Sequence, residues 1–223
     1  MDKDMVSNFS KCLLIFVVLS NMPAAYCHGW YIGIGAGIST YDLPNDLEST
    51  LNDLDQATSD LNDLGVDASF DADDSDTAAK IFGGFNINPY FGIEFGYIDL
   101  GETTADFSLD SDGNLFPSGE TRVGSSFSVD GFNAGVVGSL PFSDLISLNG
   151  RAGVYFWNSK SEFSARDTTG AFFNDSFSES DNGNDIYYGV GLDIGWFGLF
   201  YEIYDIDGDD INLAGISAKF SFE

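Results

Sequence analysis

Six charged residues, Lys80, Glu94, Arg151, Asp193, Glu202 and Lys219, stand in stretches where apolar residues alternate with glycine and small polar ones. Side chains in a strand alternate between faces, so each of the six falls on the small-residue face of its segment. Three cations and three carboxylates on one surface can neutralise one another. A paired, hydrogen-bonded network tolerates burial that an isolated charge does not. Past residue 27 the chain has six basic residues, Lys80, Arg122, Arg151, Lys160, Arg166 and Lys219, and half of them belong to this set. Ion pairing is the chemistry these residues imply.

Little else in the chain could do chemistry. The only histidine, His28, and both cysteines, Cys12 and Cys27, precede the first alternating segment. No histidine–carboxylate cluster is available for a metal and no histidine stands near a serine, so no catalytic residue, cofactor or metal ligand is assigned, and an enzyme is not expected. Asp110-Ser111-Asp112-Gly113-Asn114 and Asp205-Ile206-Asp207-Gly208-Asp209 offer the alternating oxygens that calcium takes. Neither has the twelve-residue spacing to a glutamate, and Asp-Gly is an ordinary turn signal. Turns are the better reading, with weak metal binding second.

The elements that must hold the six charges are best seen in Ile81–Gly101. Ile81, Phe85 and Ile87 share one face of a strand, with Lys80, Phe82, Gly84 and Asn86 opposite. After a turn at Asn88-Pro89-Tyr90, Phe91, Ile93, Phe95 and Tyr97 share a face against Gly92, Glu94 and Gly96. One side of this hairpin is continuous and apolar; the other is glycine, amide and charge. A barrel in lipid has that arrangement, with apolar residues outward and polar ones inward. Period-two counting finds eight such segments, the even number that single-chain bacterial barrels require. The first begins at Trp30. Beyond the hairpin they run through Ser126–Leu140, Leu145–Phe163, Asp185–Gly195, Gly198–Ile206 and Ile211–Phe222. The fold class expected is all-β, an eight-stranded antiparallel transmembrane β-barrel. The 26 glycines and the aromatic content of 15% agree, since glycine leaves lumen space and aromatics girdle the interfaces.

Lys3 and Lys11 precede the apolar run Cys12–Leu19, which is too short to span a bilayer and fits the core of a secretory signal peptide. Cleavage after Cys27 leaves residues 28–223 as one barrel domain; lipidation of Cys27 is a minor alternative. Short connections at Asn88–Tyr90, Pro141–Asp144 and Trp196-Phe197 alternate with long ones at about 42–76, 102–120 and 164–183, which puts the long ones outside the cell.

The same residues resemble a known family, the barrel domain of outer membrane protein A. Trp30-Tyr31-Ile32-Gly33, Phe82-Gly83-Gly84-Phe85, Asn88-Pro89-Tyr90 and Gly92-Ile93-Glu94-Phe95-Gly96-Tyr97 carry the likeness, which extends roughly from Trp30 to Phe222. It implies a Gram-negative outer-membrane location. It also implies that Glu94, Arg151, Asp193, Glu202 and Lys219 occupy polar lumen positions that form an ion-pair plug in that family. Val137 and Phe200 depart from it, standing where a basic residue is usual. The chain stops after the last strand, so the peptidoglycan-binding domain of longer members is not expected.

Two functions follow. One is a structural and surface-interaction protein whose ion-paired lumen is a polar core; the other is a narrow porin-like channel gated by pair exchange. The first is favoured because eight strands leave an interior just wide enough for side chains. Segment 42–76 holds twelve carboxylates and no base, with Leu47, Leu51, Leu54, Leu61 and Leu64 near helical spacing. It reads as an amphipathic helix over the barrel mouth or as a solvated loop. A net charge of −28 excludes nucleic acid. The partners expected are lipopolysaccharide and phospholipid, with divalent cations at the acidic loops and an extracellular partner the sequence does not name.

Overall fold

The computed structural model describes residues 29–41, 45–63, 66–111, 118–168 and 174–222. The expected signal peptide, His28, both cysteines and Leu64 lie outside them, as do the side chains of Leu47 and Leu51. Among the described residues there are nine strands: β1 Gly29–Tyr41, β2 Asp67–Asp73, β3 Ser75–Asn88, β4 Phe91–Ser111, β5 Gly119–Pro141, β6 Ile146–Asp167, β7 Asp175–Ile194, β8 Phe197–Ile206 and β9 Asp209–Phe222. One helix, α1, spans Asn45–Asp63.

Eight of the strands close a ring in the order β1-β3-β4-β5-β6-β7-β8-β9, antiparallel throughout, with β9 returning to β1 at Trp30↔Phe222. The ninth, β2, follows the line of β3 along β4 and is separated from it at Asp74, whose carbonyl accepts the Tyr41 N–H at 2.9 Å. Closure satisfies every strand's neighbours, the condition for a sheet in lipid. Trp30, Ile34, Phe132, Val136, Val190 and Ile216 lie outward and are each more than half exposed. A soluble protein does not tolerate an apolar band of that extent; a bilayer requires it.

Inward glycines make room for rings from neighbouring strands. A Cβ at Gly84 would collide with the Tyr31 ring, and one at Gly153 with Tyr187. The short turns are built from local chemistry: Asn88 Oδ1 accepts the N–H groups of Tyr90 and Phe91 at 2.8 and 2.9 Å. The β7–β8 turn is Gly195-Trp196, one residue earlier than expected, with Gly195 at φ 64°. Within Asp205–Asp209 the turn is Asp207-Gly208, between the ends of β8 and β9, with Asp205 Oδ1 accepting the Gly208 N–H at 2.9 Å. Of the other calcium-like segment, Asp110 and Ser111 end β4 and the rest lies outside the described residues.

The long connections need correction. Stretches 102–120 and 164–183 are largely strand among the described residues. Strands β6 and β7 continue in register well past the apolar belt to Ala165↔Asp175, and β4 and β5 continue to Ser111↔Gly119 after a bulge between Asp99 and Glu102. In 42–76 the helix is present and β2 follows it. The result is a five-stranded sheet, β2-β4-β5-β6-β7, standing above a ring whose other strands end near Tyr41, Ile206 and Asp209. The helix packs on β2, with Thr58 buried and Leu54 exposed, so its leucines do not form a fully buried stripe.

Candidate functional site in the lumen

Strand parity brings all six charged residues inside. Lys80 comes from β3, Glu94 from β4, Arg151 from β6, Asp193 from β7, Glu202 from β8 and Lys219 from β9. Five are at most 8% exposed, with Lys219 half-buried.

They form two groups. In the larger, Oε1 of Glu202 receives Lys80 Nζ at 2.5 Å and Arg151 Nη1 at 3.0 Å. Arg151 Nε also stands 3.2 Å from Glu94 Oε1, an ion pair not aligned as a hydrogen bond. Two tyrosines that the charge pattern does not reveal complete the set. Tyr31 donates to Glu94 Oε2 at 2.9 Å and Tyr204 to Glu202 Oε2 at 2.6 Å. Phe200 lies under Lys80, with Nζ 3.7 Å from the ring centroid. An aromatic face thus stands where the family usually has a base, and it attracts a cation. Lys219 pairs with Asp193 in the second, wetter group and lies 5.4 Å over the Tyr31 ring.

Charge is balanced in each group, two against two and one against one. The arrangement holds strands together across the lumen. Three buried polar atoms nearby have no partner: Asn133 Oδ1, Asn149 Nδ2 and Tyr187 OH.

Beyond this polar half, on the side of the projecting sheet, the lumen becomes apolar. Tyr41, Ala78, Leu100, Val129, Trp157, Tyr187, Tyr204 and Leu213 belong to one buried cluster, one from each strand of the ring. Ala78, Leu100 and Tyr204 are 0% exposed. Tyr187 and Tyr204 stack at 5.5 Å with planes 9° apart, and Tyr155 meets Tyr204 edge-on at 4.9 Å.

The sequence does carry a signal for this layer. Strand phase is constant, yet apolar residues move from the outer to the inner face at Tyr97-Ile98-Asp99-Leu100, at Val129-Asp130, at Asp205-Ile206 and at Ile211-Asn212-Leu213. That inversion marks the level at which apolar residues leave the outer face and turn inward.

A closed antiparallel ring with an apolar belt outside and an ion-paired interior is a transmembrane β-barrel. The chain belongs to the OmpA-like transmembrane domain family, whose model matches residues 26–198, and the protein is accordingly one of the outer membrane. Among solved structures it is similar to Ail, the attachment invasion locus protein of Yersinia pestis. Identity is 16% and the TM-score 0.45, over 87% of this chain and 100% of that one. Ail in complex with the heparin analogue sucrose octasulfate matches over the same shares at 16% identity and TM-score 0.44. OprG from Pseudomonas aeruginosa matches at 10% identity and TM-score 0.29, over 89% of this chain and 99% of that one. No curated protein matches.

Proposed function

We propose that this barrel is a non-enzymatic structural and surface-interaction protein, with a lumen that is a packed core and an acidic sheet that meets the exterior. The single observation that carries this reading is the buried layer to which all eight ring strands contribute. Eight strands enclose just enough space for side chains, and the burial of these side chains supports a packed core at that level over a water-filled path.

The apolar belt seats the protein among lipopolysaccharide and phospholipid acyl chains. The short turns face the periplasm and the projecting sheet faces outward, since outer connections in such barrels are the long ones. Divalent cations are drawn to the carboxylates of α1 and β2 by charge alone. The lumen carboxylates lie below the sealed layer and engage cations, which is a structural role for them and not a catalytic one.

A narrow channel is the second reading. The three unpartnered polar atoms in the lumen favour it, because orphaned buried groups mark places where water enters. Single-channel recording with purified protein in planar bilayers separates the two. The packed-core reading expects no steady current; a sustained ohmic current would establish the channel.

A further inference from the structure

Tyr187↔Tyr204 is the last registered pair between β7 and β8. Beyond it β7 continues to Asp175 beside β6, and no strand among the described residues takes its other side. The opposite margin of the projecting sheet is treated differently. There the Asn62 amide of α1 donates to the Ala68 carbonyl and accepts the Ala68 N–H, both at 2.8 Å. Among the described residues one margin is capped by a helix and the other is bare.

The ladder identifies which groups of β7 face the open side. The Gly195 N–H donates to the Leu145 carbonyl at 2.7 Å, which makes Ile146↔Ile194 a non-hydrogen-bonded pair. Alternation in an antiparallel ladder then gives odd residues of β7 to β6 and turns the N–H and C=O of even ones away. The register continues unshifted to Asp175, so Ser176, Ser178, Ser180 and Asn182 present their backbone to the open edge. Two of these donors have found substitutes. The Ser176 N–H donates to the Asp175 carboxylate at 2.9 Å and the Asn182 N–H to that of Asp181 at 2.8 Å. Each carboxylate stands where the carbonyl of a neighbouring strand would be.

Charged side chains commonly guard an open sheet edge against indiscriminate pairing, and this guard discriminates by sign. Asp175, Glu179 and Asp181 are exposed on one face of the segment, in a chain of net charge −28. A second copy at this edge would set these carboxylates against their own counterparts. A strand with Lys or Arg at alternate positions would instead draw them off the backbone and pair with them, while its own carbonyls take over the freed N–H groups. We propose that the open edge of β7, from Asp175 to Asn182, docks an extended cationic segment of an external protein by β-strand addition. The proposal rests on the surface-interaction reading above and names the partner class for it.

The test uses the full-length protein in lipid nanodiscs and a fluorescent synthetic peptide alternating Lys and Val, followed by anisotropy at low salt. Expected are saturable binding, roughly tenfold weaker binding when the peptide's edge-facing amides are N-methylated, and a similar loss with Ser180→Pro, which removes an edge donor. Asp175→Asn combined with Asp181→Asn should also weaken it, and a Glu–Val peptide should not bind. If the N-methylated peptide binds as well as its parent, the attraction is charge alone and strand addition is overturned. That arm decides the matter even if Ser180→Pro fails to fold. Absence of Lys–Val binding overturns the edge as well. Neither result touches the packed lumen, which conductance tests separately.

Discussion

Arg151 reaches across the lumen to Glu202, with Nη1 3.0 Å from Oε1, and shares that one oxygen with Lys80. Glu202 is therefore the hub of the network, since it also accepts the Tyr204 hydroxyl on its other oxygen.

Glu202→Gln should destabilise the barrel by about 3–5 kcal/mol, the usual penalty for breaking a buried pair from one side. Asp193→Asn should cost less, because the Lys219 side chain is 27% exposed and water screens its pair. Urea unfolding in lipid vesicles measures both. Equal losses would mean that both groups are equally wet.

Double-mutant cycles should give a larger coupling for Arg151 with Glu202 than for Arg151 with Glu94, whose 3.2 Å contact is misaligned. Strict additivity for Arg151 and Glu202 would remove the hub.

Val190 and Asn182 have the same parity on β7, yet one belongs to the lipid belt and the other to the projecting sheet. Val190→Arg should cost about 2–4 kcal/mol if it lies near the bilayer midplane, and Asn182→Arg close to nothing. Matching penalties in vesicle unfolding would put the belt in the wrong place.

Leu100→Ala with Leu213→Ala removes two side chains of the buried layer, at about 2–5 kcal/mol each. Planar-bilayer recordings should then show more current than the unmodified protein. An unchanged trace from a folded double variant would mean that the polar half seals the lumen by itself.

An aspartate-directed protease added to intact cells should cut in α1, where Asp53 and Asp55 are exposed, and spare Asp144 in the β5–β6 turn. Permeabilised cells should lose both. Cleavage at Asp144 alone in intact cells would turn the barrel over.

The lipid-facing half of the fold is legible because apolar residues recur at every second position from Trp30 to Ile38 and from Ile186 to Ile194, mostly against glycine. The strand extensions are not. In Asp175–Asn184 serine, aspartate and asparagine occupy both faces, and backbone hydrogen bonds pair the strands with little apolar contrast. In Glu102–Ser111 Ala105, Phe107 and Leu109 do share a face, but the bulge between Asp99 and Glu102 breaks their phase with the rest of β4. The six lumen charges could be placed by parity, but their partners could not. Parity assigns a face and not a height or a reach, so it did not reveal that Tyr31 and Tyr204 would share the carboxylates. Ile98, Leu100 and Leu213 do not stand out in the sequence because inward aliphatic residues blur the alternation that marks a strand.

The junction of β1 with β9 has a consequence for how the molecule is made. Trp30 meets Phe222 and Tyr41 meets Ile211, so this seam joins segments separated by nearly the whole chain. Until it zips, two long strands expose unpaired backbone, a template for association with other chains. Contacts this distant in sequence form slowly. The seam is also where a chaperone or insertion machine would have to hold the chain open, and loss of the final strand would leave a curled sheet that cannot enter a bilayer.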